Sequence, residues 1–250
     1  KIWALKQWVL MGAPYPGETP KTAITDWNYS DEAINHWAYQ PVKRPVIPSV
    51  NQREWTRGLI DHFILADLEK ANIKPHKMAD KRTMLRRVTF DLIGLPPTPE
   101  EVTAFIADDS DGAFETVVDR LLKSSHFGER WGRYWLDVAR YADTKGDANR
   151  NSVYIYPYSW VYRDYVIKSF NDDKPYDQFI REQIAGDYLL QSGEAKQDAI
   201  AGLGFLTLGN RFDGANEEII NDRIDTVTKA FQGVTVACSR CHDHKFDPVP

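Results

Sequence analysis

At 250 residues, 42% of them apolar and 27% charged, the chain has the make-up of a globular protein with enough apolar mass for one large domain or two small ones. A net charge of −5 leaves no basic excess for nucleic acid. No apolar run approaches the ~18 residues that span a bilayer, and two cysteines spaced three apart exclude a disulfide scaffold.

Residues 1–12 (KIWALKQWVLMG) place Ile2, Leu5 and Val9 on one face with Gly12 as a stop, the end of a helix. Residues 13–55 carry Pro14, Pro16, Pro20, Pro41, Pro45 and Pro48. Each proline removes an amide donor and disfavours helix at the residue before it, so this stretch reads as a long extended linker. Trp27, Trp37 and Tyr39 within it are expected to pack against a domain.

From residue 56 the periodicity turns helical. Helices are predicted over 56–71 and 80–93, then from Thr98, where Thr98-Pro99-Glu100-Glu101 has the residues of a capping box with proline at the first helical position. Further helices fit 112–123, 127–142, 158–170, 175–186, 195–206 and 216–240. In 127–142, Trp131, Trp135, Val138, Ala139 and Ala142 share a face, with Glu129, Arg133 and Asp137 spaced for ion pairs on another. That pattern reads as a core helix with a charged exterior. Strict alternation is rare, so the fold class is all-α: an irregular multi-helix domain over 56–250 behind a proline-rich linker.

The chemistry lies in the last segment. Ile220, Ile224, Val227, Phe231 and Val234 step by four, three, four and three, and the same count reaches Cys238 and Cys241. If the helix persists, both thiols face the interior with the apolar stripe. His242 follows at once, completing a C-x-x-C-H motif, the spacing of c-type haem attachment. Two thiols one turn apart can each form a thioether to a haem vinyl group, and the adjacent imidazole falls under the iron as an axial ligand. The cofactor expected is thus one covalent haem c on Cys238, Cys241 and His242, with His242 on the iron.

Three other readings stay open. Zinc would use Cys238, Cys241, His242 or His244, and Asp247, but lacks a second spaced pair. A redox dithiol prefers a helix N-terminus. Two inert cysteines are the third.

The sixth haem ligand is not fixed by the motif. His244 lies about 200° around a helix from His242 and is poorly placed to cross the ring; it reads as a supporting residue. His126 is the best remote candidate for the distal position, ahead of Met11, Met78 and Met84. His36, His62 and His76 read as surface residues. Arg240 and Lys245 are candidates to pair with the haem propionates.

Four blocks carry a resemblance: RRVTFDLIGLPPTPEEV (86–102), SHFGERWGRYWLDVARYADT (125–144), YRDYVIKSFNDDKPYDQFIREQIAGD (162–187) and GVTVACSRCHDHKFDPVP (233–250). Together they resemble a family of uncharacterised domains found beside cytochrome c domains in planctomycetes and related bacteria. Cys238, Cys241, His242, His244 and Asp247 fall on the family's motif without departure. The opening LKQWVLMGAPYP (5–16) resembles the closing helix of the cytochrome c domain that often precedes this one. The family usually continues past the last block, so the chain reads as the middle of a longer protein.

The resemblance implies a periplasmic or secreted location, a haem-linked role, and an upstream cytochrome c domain or another redox protein as partner. Such proteins often accompany polysaccharide-degrading systems. Two functions from different classes follow. One is an electron-transfer module. The other is a haem oxidoreductase or binding module for carbohydrate-like substrates, with Asp143, Asp147 and Asn149 as candidate lining groups.

Overall fold

A computed structural model describes residues 3, 7, 10, 11, 31–144, 156–209, 215–242 and 244, with the side chains of Ala33 and Ile34 excepted. Among the described residues the regular structure is helical, with no strand. The chain divides into two compact units, residues 1–77 and 78–250.

In the first unit Trp3, Gln7 and Leu10 are helical, and Met11 N–H donates to the Gln7 carbonyl at 3.0 Å. The other residues of the predicted 1–12 helix, and Trp27, lie outside the described residues. A one-turn helix, α1 (Asp31–Ile34), and a 3-10 turn (Trp37–Tyr39) lead into residues 41–50, which have no regular structure, as Pro41, Pro45 and Pro48 require. Neither Trp37 nor Tyr39 is buried within this unit. Trp37 is 82% exposed and Tyr39 51%. Both rings instead lie beside His36, with centroids at 5.7 and 5.9 Å. The unit closes on α2 (Leu59–Lys70), whose Glu69 carboxylate accepts the Asn51 and Gln52 amides at 2.9 and 3.2 Å. His62, expected on the surface, is half-buried, because its helix turns Nε2 towards Thr56 Oγ1 at 3.4 Å.

The second unit begins with α3 (Lys81–Ile93), capped by Asp80 and ended by Gly94 at φ 73°. Then come α4 (Pro99–Ala107) and α5 (Ala113–Leu122). The capping box expected from Thr98 and Glu101 forms: Thr98 N–H donates to Glu101 Oε2 at 2.8 Å, and Glu101 N–H to Thr98 Oγ1 at 3.2 Å. Leu85, Phe105 and Ala113 form a small core among these three helices.

A larger core follows, built from α6 (Ser125–Val138), α7 (Ser159–Asn171), α8 (Tyr176–Gln191), a 3-10 turn (Gln197–Leu203), α9 (Gly204–Thr207) and α10 (Asn216–Gln232). Ala139, Tyr162, Tyr165, Val166, Phe179 and Phe205 are buried there, with Trp135, Val227 and Phe231 packed against them.

The buried face of α6 differs from the aromatic stripe read from the sequence. Trp131 and Val138 are 38% and 46% exposed. The inward line is Gly128, Gly132, Trp135 and Ala139. Gly128 lets α7 approach so closely that a Cβ there would collide with the Ile167 carbonyl oxygen. On Gly132 a Cβ would meet Ile167 Cγ1 at an ordinary 3.4 Å. The predicted ion-pair ladder also differs, since Glu129 closes on His126.

The buried polar side chains of this core, Ser159, Ser169, Glu182, Gln183 and Thr226, are paired. Trp135 Nε1–H and the Tyr162 hydroxyl both donate to Gln183 Oε1 at 2.7 Å. Glu182, 2% exposed, accepts from the Tyr165 hydroxyl at 2.8 Å, from Gln178 Nε2 at 2.7 Å and from Lys174 Nζ. Burial pushes the Glu182 carboxyl up, but the donors from Lys174, Gln178 and Tyr165 outweigh it and hold the group below its usual value.

Two outcomes follow. Gly128→Ala should lower unfolding stability by about 1–3 kcal/mol in urea melts through overpacking, whereas Gly132→Ala should be neutral or stabilise by up to about 1 kcal/mol through helix propensity. Glu182→Ala, which strands Lys174, should cost about 3–5 kcal/mol near neutral pH. Because the folded carboxyl titrates below the unfolded one, its contribution is complete above about pH 4.3. It is lost as pH falls through the folded value, so wild type and Glu182→Gln should converge in stability in acid melts.

Candidate functional site

The approach to the C-x-x-C-H motif is set by the end of α10. The predicted helix over 216–240 stops at Gln232, because Gly233 adopts φ 69° and ends it. The amides of Gly233 and Val234 both turn back to the Thr228 carbonyl, Val234 at 3.3 Å, which closes the helix end behind the left-handed glycine. Residues 233–236 leave the helix, and a separate 3-10 turn spans Ala237–Arg240. The apolar stripe therefore does not carry Cys238 and Cys241 into the interior. Val227 and Phe231 pack on the core, Ile220 and Ile224 are 55% and 49% exposed, and both cysteines are exposed.

The motif lies back along α10. Arg240 Nη1 donates to both carboxylate oxygens of Glu218 at 2.7 Å. Arg240, expected as a propionate partner, is thus engaged within the chain. On a helical wheel Ile220 and Ile224 fall roughly 200–240° from Glu218, so the motif occupies a different side of α10 from the exposed isoleucines.

Within the turn, Cys241 N–H donates to the Cys238 carbonyl at 3.2 Å and Ser239 N–H to the Val236 carbonyl at 2.9 Å. Neither thiol is in a disulfide. His242 is exposed and His244 half-buried. Two accessible thiols on a single turn, with an imidazole next in sequence, fit the attachment chemistry of haem c. Lys245 and Asp247 lie outside the described residues. Among the described residues no group of three or more His, Cys, Asp or Glu is arranged to hold a metal ion.

His126 is not brought to this turn. It sits at the start of α6, exposed, with Nδ1 at 2.7 Å from Glu129 Oε2. Trp135 of α6 meets Phe231 of α10, with ring centroids 5.9 Å apart, while Arg140 beyond α6 pairs with Asp222. The two helices therefore run in opposite senses. His126 lies about 14 Å beyond Trp135 on the side away from Arg140, and Glu218 about 20 Å from Phe231 the other way. Of the three methionines, Met11 and Met78 are exposed and Met84 is half-buried on α3.

Asp143 stands near a second feature. Its Oδ1 accepts from the Tyr141 hydroxyl at 2.7 Å and from Ser159 Oγ at 3.1 Å, and these two donors hold the carboxyl below its ordinary value. Ser159 lines a cleft of about 710 Å³ that runs along α7. Nothing in the sequence pattern marked this cleft beyond the aromatic richness of residues 154–165. Asp147 and Asn149 lie outside the described residues.

Fold and site together define an all-helical domain with a C-x-x-C-H turn on its surface. The family model for PSCyt2, a protein of unknown function (DUF1549), matches residues 59–250, and the chain belongs to this family. No match to the chain is found among curated proteins or among solved structures.

Because both thiols are exposed, the haem-free native chain should react with an aromatic disulfide reagent at two sites without denaturant, at rates close to those of the unfolded chain. Protection of either cysteine would mean that the turn is buried. Arg240→Ala should leave the unfolding midpoint nearly unchanged, since a solvent-screened ion pair contributes little to stability.

Proposed function

We propose that this domain carries one haem c, joined through thioethers to Cys238 and Cys241 with His242 as an axial ligand, and that it transfers electrons outside the cytoplasm as part of a larger redox protein. One observation carries this reading: two reduced, exposed thiols on a single turn, followed directly by an imidazole. A haem bound there supplies one-electron chemistry at its iron.

The chain's own residues divide the remaining work. Gly233 turns the backbone out of α10, so that the thiols meet solvent rather than the core. Glu218 holds Arg240 and with it the turn between the cysteines. His242 would ligate the haem iron, while His126 stands at the far end of α6 beside Glu129. The electron partner is the cytochrome c domain that residues 5–16 resemble, or another redox protein, and the location is periplasmic or secreted.

The test is maturation of the chain in an exporting host with and without a cytochrome c maturation system. Haem that survives acid–acetone extraction only with that system is expected. Cys238→Ala with Cys241→Ala should leave any remaining haem extractable. A chain that binds no haem in either host overturns the proposal.

A further inference from the structure

The cleft along α7 is a second built feature, and its argument is independent of haem. Its volume, about 710 Å³, lies within the range of small-molecule sites. One side is α7, and the other is the 3-10 turn Gln197–Leu203 with α9. Gly204 sets the floor, since a Cβ there would meet Tyr162 Cβ at 2.5 Å. Only glycine lets the two walls come this close.

The lining leaves aromatic surface open. Tyr158 and Trp160 are 76% and 48% exposed, and Ile200 is 38% exposed. Most of the polar lining is spent on internal bonds. Ser169 Oγ donates to the Tyr165 carbonyl at 2.7 Å and Thr207 Oγ1 to the Leu203 carbonyl at 3.1 Å. Lys168 pairs with Asp172, Lys174 with Glu182, and Asp164 with Arg163. The groups left to a ligand are the Gln197 amide and the Asp198 carboxylate, neighbours at the start of the 3-10 turn.

Charge narrows the ligand. No lining lysine is unneutralised, so an anion gains no counter-charge. A cation drawn by the aromatic faces and Asp198 meets Lys168, whose ammonium the charges of Asp172 and Asp198 hold above its usual range, and Lys174, which already covers the Tyr165 ring at 4.5 Å. A wholly apolar ligand would desolvate Asp198 and Gln197 without giving them partners. A chain of uncharged rings with C–H faces and hydroxyl edges satisfies all three conditions, one ring stacking on the aromatic walls at the start of α7 and another, about 12 Å further along, bonding to carboxylate and amide.

We propose that this cleft binds an uncharged saccharide, with Trp160 and Tyr158 as stacking surfaces and Asp198 and Gln197 as hydrogen-bonding groups. Titration calorimetry of the full chain with cellohexaose, xylohexaose and mannohexaose, and with an oligogalacturonate as the anionic counterpart, tests it. At least one neutral hexasaccharide should bind measurably and the oligogalacturonate more weakly. Trp160→Ala should weaken that binding by up to about tenfold, the loss of one stacking contact. Asp198→Asn should weaken it too, and both variants should keep the wild-type melting midpoint, since both side chains are exposed. Failure of every neutral sugar to bind at millimolar concentration overturns the proposal. So does preferential binding of the oligogalacturonate, or sugar binding that neither substitution changes.

Discussion

The indole of Trp135 ties four helices together. Its Nε1–H bonds to Gln183 of α8, and its ring meets Phe179 of α8 at 5.0 Å, Phe205 of α9 at 6.0 Å and Phe231 of α10 at 5.9 Å. An aromatic side chain of this size combines apolar burial with one donor that must be satisfied, and Gln183, fully buried, satisfies it. The position of α10 depends on this contact, and the C-x-x-C-H turn hangs from the end of α10. Where the motif lies on the surface is therefore decided in the core, at Phe231, one residue before the helix stops.

Much of the fold was legible because local chemistry and tertiary packing agree. The Thr98–Glu101 box, the irregular stretch 41–50 and most helix spans are written in residues whose side chains act on their own backbone. The misreadings share a cause, which is small residues acting at a distance. Gly128 turns the buried face of α6 away from Trp131, because close approach by α7 outweighs the burial of one more ring. Gly233 ends a stripe that the count alone carried on to Cys241. A heptad-like count registers side chains, whereas a left-handed glycine registers only as the absence of one.

The candidate site was legible in composition and not in place. Cys238, Cys241 and His242 are contiguous, so the motif needs no fold to be seen. Its remote partners do need one. Arg240 finds Glu218, 22 residues earlier, and His126 is separated from the motif by the length of α6 and by the opposed direction of α10. The cleft was not legible beyond its aromatic residues, since its two walls are joined by tertiary contacts such as Gly204 on Tyr162 and Gly202 on Tyr165. Its Tyr156 end reaches the same region as the motif: the Tyr156 hydroxyl bonds to the Gly209 carbonyl at 2.9 Å, a Cβ on Gly209 would crowd Asp222, and Asp222 lies one turn from Glu218. Cleft and motif thus both border the first half of α10.

The central claim is that both thiols of the surface turn are committed to one haem. The most direct measurement is the reduced pyridine haemochrome spectrum of the chain matured in an exporting host. Two thioethers saturate both vinyl groups and shift the α band to shorter wavelength than that of a haem with free vinyls. The account predicts the fully shifted band, at one haem per chain. A band at the position of free-vinyl haem, or no haemochrome at all, would contradict it.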